Sequence, residues 1–218
     1  MSPTDRLEPQ TSHPIPPVVI AAAGRGRRIG GPKALLSYEG EPLAVRVART
    51  FVEAGCPRVV VVVGAGADAV EAALGPLPRV TTVRADPDAP MLASVLAGLA
   101  AAPEADALGV LVHAVDAPRV TAATVRRLLA ARGAEPDADG LVAACGGRRG
   151  HPLWLAPRRV AELRGATADH PDGLRGWSRA RGLRIVPVET NDATVLDDVD
   201  TPEQLALLRS GAGGGTGP

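Results

Sequence analysis

Aromatic side chains are almost missing from this chain of 218 residues, which has one Phe, one Tyr and two Trp. So few rings offer no stacking platform for bases, and 24 Lys and Arg against 24 Asp and Glu leave no basic excess to hold a phosphate backbone. Both shortages argue against a nucleic acid partner. Cysteine is equally scarce. Cys56 and Cys145 stand alone and far apart, so neither a disulfide framework nor a thiolate metal site is expected. No apolar run approaches the ~18 residues of a membrane span, and the Pro-rich N-terminus lacks the basic-then-apolar order of a signal peptide. A cytoplasmic protein is therefore expected. Lysine is rarest among the charged residues: Lys33 is a single Lys against 23 Arg.

What is present is concentrated around that lysine. Pro17 to Ala22 is a short β-branched run of the kind that forms a strand buried on both faces of a parallel sheet. It feeds Ala23-Gly24-Arg25-Gly26-Arg27-Arg28-Ile29-Gly30-Gly31-Pro32-Lys33. Gly24, Gly26 and Gly30 allow tight turning and bring bare N–H groups close to an anion, with Arg25, Arg27, Arg28 and Lys33 as countercharge. A Lys follows a phosphate as a mobile point charge, whereas Arg offers a rigid fork. The spacing fits neither common phosphate motif. The third glycine falls one residue late for the dinucleotide fingerprint, and Lys33 lies between Pro32 and Ala34 rather than in Gly-Lys-Ser/Thr.

Residues Ala21 to Gly24, Arg25, Arg28, Ile29, Gly30, Pro32 and Lys33 resemble the signature of the nucleotidyltransferases that modify the molybdenum cofactor and of their relatives that charge sugar phosphates. Ala21 stands where that family has Leu, and Ile29 where it has Met. The resemblance covers roughly residues 17 to 209 and continues downstream. Asp116 closes the apolar run Leu108 to Val115, where open α/β sheets place ligands, and Thr121 is positioned to cap the next helix. Asp197 to Gln204 resembles the family's closing Asp-x-Asp-Thr-Pro-Glu stretch, with Thr201 and Gln204 spaced as a capping box and Pro202 at the first helical position.

The resemblance implies that Asp116 and Asp200, rather than Asp198, converge on one Mg²⁺. Hard oxygen donors suit that ion, and no His/Cys cluster suggests zinc. It further implies that Ala22, Ala23, Gly24, Arg25 and Gly26 bind the nucleotide, while Arg28 and Lys33 neutralise its phosphates. Ser94, in a segment similar to the family's helix beside the base, would donate to base or phosphate, or else belongs to a small-residue helix packed on the sheet. His151, in a Gly-His-Pro turn similar to that of the cytidylyl members, would contact the acceptor. His113 reads as a core histidine.

The implied reaction is Mg-dependent transfer of NMP from an NTP, CTP favoured, to a phosphorylated acceptor such as molybdopterin, releasing pyrophosphate. Ala117, Arg119 and the segment from His170 to Trp177 depart from the cofactor branch, which keeps a sugar phosphate or another small phosphorylated metabolite open as acceptor. A non-catalytic nucleotide-binding paralogue would share the motifs. A Rossmann oxidoreductase would need an acid closing the second strand, where Val59 to Val63 runs into Gly64-Ala65-Gly66.

Alternation of apolar runs predicts helices over 42–54, 70–74, 91–101 and 122–131 and strands over 58–63, 79–83, 108–115 and 140–144. That order implies a three-layer α/β domain, a mostly parallel twisted sheet with helices on both faces and a Rossmann-like nucleotidyltransferase fold. Residues 17–209 form the domain, 1–16 read as a disordered leader and 210–218 as a flexible Gly-rich tail. Residues 146–195 read as less regular and as the acceptor side.

Overall fold

The computed structural model describes residues 13–170 and 172–210. Most of the expected leader and all but the first residue of the expected tail lie outside the described residues. Residues 13–16, expected in the leader, lie against the domain: the buried Arg132 guanidinium donates to the carbonyls of Pro14 at 3.0 Å and His13 at 3.2 Å.

In chain order the elements are β1 (Val18–Ala22), the hairpin β2 (Ser37–Tyr38) and β3 (Glu41–Pro42), α1 (Leu43–Glu53), β4 (Val59–Val63), α2 (Ala67–Leu74), β5 (Val80–Arg84), α3 (Met91–Ala100), α4 (Ala105–Leu108), β6 (Val110–Ala114), α5 (Ala122–Ala130), β7 (Gly140–Cys145), β8 (Arg148–Leu155), α6 (Pro157–Arg164), α7 (Gly173–Ala180), β9 (Ile185–Glu189) and α8 (Pro202–Arg209). Seven strands form one sheet in the order β5-β4-β1-β6-β8-β7-β9. Every pairing in it is parallel except those of β8, which runs antiparallel to β6 and β7.

Strand alternation sorts the core onto the two faces. Val18, Ile20, Val59 and Val61 pack with Phe51, Leu74 and Leu128 of α1, α2 and α5. Val19, Val60 and Val62 pack with Leu92, Val95 and Leu99 of α3 and with Leu163 and Trp177 of α6 and α7. This is the expected three-layer α/β fold, with β1 and β4 apolar throughout because both faces are covered.

Local chemistry sets the ends. Thr121 caps α5 by accepting the Thr124 amide at 3.2 Å. At α8, Thr201 accepts from Gln204 N at 3.3 Å and Gln204 Oε1 accepts from Thr201 N at 2.9 Å, the reciprocal capping box read from the sequence. The strand expected from Leu108 begins instead at Val110. Residues 105–108 turn as α4, and Gly109 ends that turn at φ +77°, where a Cβ would lie 2.3 Å from the Leu155 carbonyl oxygen.

The larger difference is at 146–195, which is regular: β8, α6, α7 and β9 all fall within it. Gly150 and Pro152 made β8 unreadable as a central strand, since Pro cannot donate to the ladder. The sheet accommodates them with an irregularity in the β7–β8 register between Val142 and Ala144. His151 therefore lies in a strand and not in a turn.

Helix α3 reaches the sheet because Gly98 has no side chain; a Cβ there would stand 2.4 Å from Val19 Cγ1 and 3.0 Å from Val62 Cγ2. Gly98→Val is expected to destabilise the protein by about 1–3 kcal/mol through overpacking, read as a lower midpoint in urea unfolding.

Candidate active site

The loop after β1 turns on Gly26, at φ +60°, whose carbonyl accepts the amides of Ile29 at 3.0 Å and Gly31 at 3.2 Å. A Cβ on Gly26 would meet the Gly31 carbonyl oxygen at 1.9 Å, so only glycine fits. Among the described residues, no acceptor within the protein takes the amides of Gly24, Arg25 or Gly26.

The arginines of this loop point in two directions. Arg25 grips Asp88 in a bidentate pair at 2.7 and 2.6 Å, and Arg27 reaches the same carboxylate at 2.8 Å. Hydrogen bonding to Arg25 holds the Asp88 carboxyl below the usual carboxylate range. Arg28 turns the other way, its Nη2 lying 3.5 Å from Asp200.

Lys33 lies at the inner end of the loop, in a short turn after Pro32, with its side chain only 17% exposed. Its ammonium donates to Asp116 at 2.7 Å and also to Asp200. Burial by itself would lower the Lys33 pKa, but the charges and hydrogen bonds of Asp116 and Asp200 outweigh it and the pKa is raised. The hydrogen bond from Lys33 in turn lowers that of Asp200. Asp198 behaves oppositely: burial raises its pKa, reinforced by the negative charges of Asp116 and Asp200 against the opposing effect of His151.

Backbone and side-chain bonds bring the two aspartates together. The Val199 amide donates to the Asp116 carbonyl at 2.8 Å, Arg119 pairs with Asp197 at 3.0 Å, and Thr194 Oγ1 donates to the Arg119 carbonyl at 3.1 Å. The returning chain crosses β8 so closely that a Cβ on Gly150 would lie 1.9 Å from the Val195 carbonyl oxygen.

These elements enclose a cleft of about 190 Å³ at the carboxyl ends of β1 and β6, lined by Ala22, Ala23, Gly24, Gly26, Lys33, Ser94 and Asp116. Ser94, buried in the first turns of α3, faces into it. Arg25, Arg28 and Asp200 stand outside the lining, and so does His151. The His151 ring lies edge-on to His113 with centroids 5.5 Å apart, and its buried Nδ1 has no hydrogen-bond partner among the described residues. The sequence reading did not include Asp88 in the site, nor Ala89 in the loop after β5 and Met91 at the start of α3, which line the cleft. The Asp86-Pro87-Asp88 run was the available signal, an acidic turn able to answer the unpaired arginines of the glycine loop.

His113, on β6, is a core residue as expected. It is 1% exposed, with Nε2 2.9 Å from the Ala117 carbonyl and its ring edge-on to Phe51. Burial, aided by His151, lowers its pKa to about 3.

A glycine-loop cleft on an open α/β sheet, with a lysine shared by two aspartates at its inner end, defines a nucleotide-binding class of protein. A family model described as the MobA-like NTP transferase domain matches residues 18–185, and the chain belongs to that family; it is an enzyme of the nucleotidyltransferase class. The nicotine blue oxidoreductase of Paenarthrobacter nicotinovorans is 36% identical over 196 residues, covering 87% of this chain and 94% of that protein. A 2-C-methyl-D-erythritol 4-phosphate cytidylyltransferase of Symbiobacterium thermophilum is 37% identical over 123 residues, 55% of this chain and 50% of that one. Among solved structures, Rv0371c of Mycobacterium tuberculosis H37Rv is 27% identical with a TM-score of 0.74, covering 91% of this chain and 98% of that one. A manganese complex of that protein is similar at 26% identity and a TM-score of 0.72, covering 90% and 98%.

Gly26→Ala is expected to open the loop: hydrogen exchange at the Ile29 and Gly31 amides should accelerate at least tenfold while the amides of β1 and β4 remain protected. His113 generates a pH dependence. In the unfolded chain its imidazole binds a proton near pH 6.5, and in the fold only near pH 3. Between those values the unfolded state holds the extra proton, so stability falls as pH falls, by about 1.4 kcal/mol per unit. His113→Gln should remove this slope between pH 6.5 and about 4.5, as read from urea unfolding at each pH.

Proposed function

We propose that the chain moves a nucleoside monophosphate from CTP to a small phosphorylated acceptor and releases pyrophosphate. The observation that carries this reading is the Lys33 ammonium shared by Asp116 and Asp200 at the inner end of a cleft walled by unpaired loop amides. The amides of Gly24, Arg25 and Gly26 hold the triphosphate, and Arg28 and Lys33 offset its charge as it shifts toward the leaving group. An oxygen of the acceptor phosphate attacks the α-phosphorus in line. One P–O bond forms, the bond to the β-phosphate oxygen breaks, and pyrophosphate carries away the electron pair. The attacking oxygen is already anionic at neutral pH, so no protein nucleophile or base is required. Ser94 donates to the nucleotide from the start of α3, and His151 lies on the acceptor side.

The residues present fit a divalent cation. Asp116 and Asp200 offer hard oxygen donors and already share one positive charge, that of Lys33. Among the described residues no group of three His, Cys, Asp or Glu could hold a metal, so Asp116 and Asp200 would hold a cation only together with substrate phosphates and water, as suits Mg²⁺. When bound it would neutralise phosphate charge. CTP is supported by the cytidylyltransferase relative, and molybdopterin by the Gly-His-Pro resemblance around His151; a sugar phosphate is the alternative acceptor. A cytoplasmic setting suits these substrates, and among the described residues no helix is long and apolar enough to cross a membrane.

A second reading has one observation in its favour, the relative of nearly equal length that is named an oxidoreductase. Against it, β4 runs into Gly64 with no acid at its end to hold a cofactor ribose. Assays of pyrophosphate release from CTP and of NAD(P)H oxidation with a dye acceptor separate the two readings, and a non-catalytic paralogue gives neither signal. Lys33→Gln is expected to lower the rate of pyrophosphate release by about 10²–10³-fold, and Asp116→Ala and Asp200→Ala to abolish it, with circular dichroism unchanged. Full Mg²⁺-dependent activity in either aspartate variant would overturn the assignment.

A further inference from the structure

A second cavity, larger than the nucleotide cleft, lies elsewhere. At the opposite end of the sheet, where β6 begins and antiparallel β8 ends, a pocket of about 380 Å³ is bounded by Arg132, Trp154, Leu108, Pro136, Pro157 and Pro14. It shares no lining residue with the nucleotide cleft.

Its chemistry is unbalanced. Arg132 is 8% exposed, yet among the described residues no carboxylate pairs with it. The acid that lines the same pocket, Glu135, is engaged at 2.6 Å by Arg184. Arg132 donates instead to three neutral carbonyls, from Nε to Leu129 at 2.9 Å, from Nη1 to Pro14 at 3.0 Å and from Nη2 to His13 at 3.2 Å. A guanidinium has five N–H donors, so these three bonds leave one on each terminal nitrogen free to meet an anion. A buried cation without a counter-anion is costly, and burial pulls the Arg132 pKa below its ordinary value. Beside it Trp154, whose ring centroid is 5.6 Å from the guanidinium carbon, is 7% exposed and its Nε1 has no hydrogen-bond partner among the described residues. The rest of the wall is largely apolar.

We propose that this cavity is a second binding site, separate from the nucleotide cleft, for a small organic monocarboxylate whose carboxylate is taken by Arg132 and whose apolar body lies along Trp154. One uncompensated positive charge calls for one negative charge, which favours a carboxylate over a polyphosphate. The volume exceeds that of the nucleotide cleft and accommodates a ring or short chain behind the charged group.

The test uses the full chain with benzoate as probe and inorganic phosphate as the comparison anion. Trp177→Phe leaves Trp154 as the one tryptophan, so its fluorescence reports the site. Benzoate is expected to change Trp154 emission saturably and to raise the melting temperature by about 2–5 °C at five to ten times its dissociation constant, whereas phosphate does neither. Arg132→Met should abolish both effects. Because that variant also loses the bonds to residues 13 and 14, Ala107→Phe, which adds bulk to the cavity wall while keeping Arg132 and leaving Trp154 as the one tryptophan in the Trp177→Phe background, is the second variant and should weaken benzoate binding at least tenfold. Lys33→Gln should leave benzoate binding unchanged, which separates this site from the proposed transfer reaction. No saturable response in the Trp177→Phe protein, an equal response to phosphate, or full binding by Ala107→Phe would each overturn the proposal.

Discussion

One ammonium group holds three distant parts of the chain together. Lys33 is separated by 83 residues from Asp116 and by 167 from Asp200, and it contacts both. Two carboxylates brought this close would repel each other in a partly buried site, and the shared cation offsets that repulsion. The single lysine suits the position because an ammonium presents three donors around one point, whereas the planar guanidinium fork is matched to one carboxylate at a time. Cleft, carboxylates and glycine loop are thus parts of one electrostatic unit.

The loop is set from both sides. On its inner end Lys33 is held by Asp116 and Asp200, and on its outer side Arg25 and Arg27 are held by Asp88. With its cationic side chains engaged by acids and its turn closed by the Gly26 carbonyl, the loop leaves the amides of residues 24–26 without an acceptor among the described residues. The exposed Asp88 pairs contribute little to stability in water. Their effect is on geometry, since they keep two arginines at the rim of the cleft that a bound anion would otherwise have to order.

How much of this was legible depended on how local the determining physics is. β1, α1, β4, α3 and α5 were readable because each apolar pattern reflects burial against its immediate neighbours, and the Thr201–Gln204 box because capping is a four-residue interaction. That Asp116 and Asp200 meet could be anticipated from a family resemblance, since spacing alone does not say which aspartates do, but the resemblance put a metal between them and Lys33 on the phosphates, and the Lys33 ammonium that joins the two was not foreseen. β8 was hidden because Gly150 and Pro152 belong to no strand pattern. The reason for that Gly is the Val195 carbonyl passing over it, and Pro152 is tolerated beside an irregular register with β7; neither is visible locally. His151 went from turn to strand for the same cause. Asp88 was missed because its partners lie more than 60 residues away, and the packing of residues 13–16 because it depends on a guanidinium at position 132.

A segment late in the chain carries the second carboxylate. A chain emerging from the ribosome has β1, β4, β5 and β6 available, and with them the parallel half of the sheet, long before residue 200 exists. Until Asp197–Asp200 returns across β8 and the Val199 amide reaches the Asp116 carbonyl, Lys33 has only one of its two acids. The charge arrangement at Lys33 is therefore completed only by a segment that follows β8 and β9 in the chain, so the segments that carry Lys33 and Asp116 precede, Lys33 by 167 residues, the carboxylate that joins them.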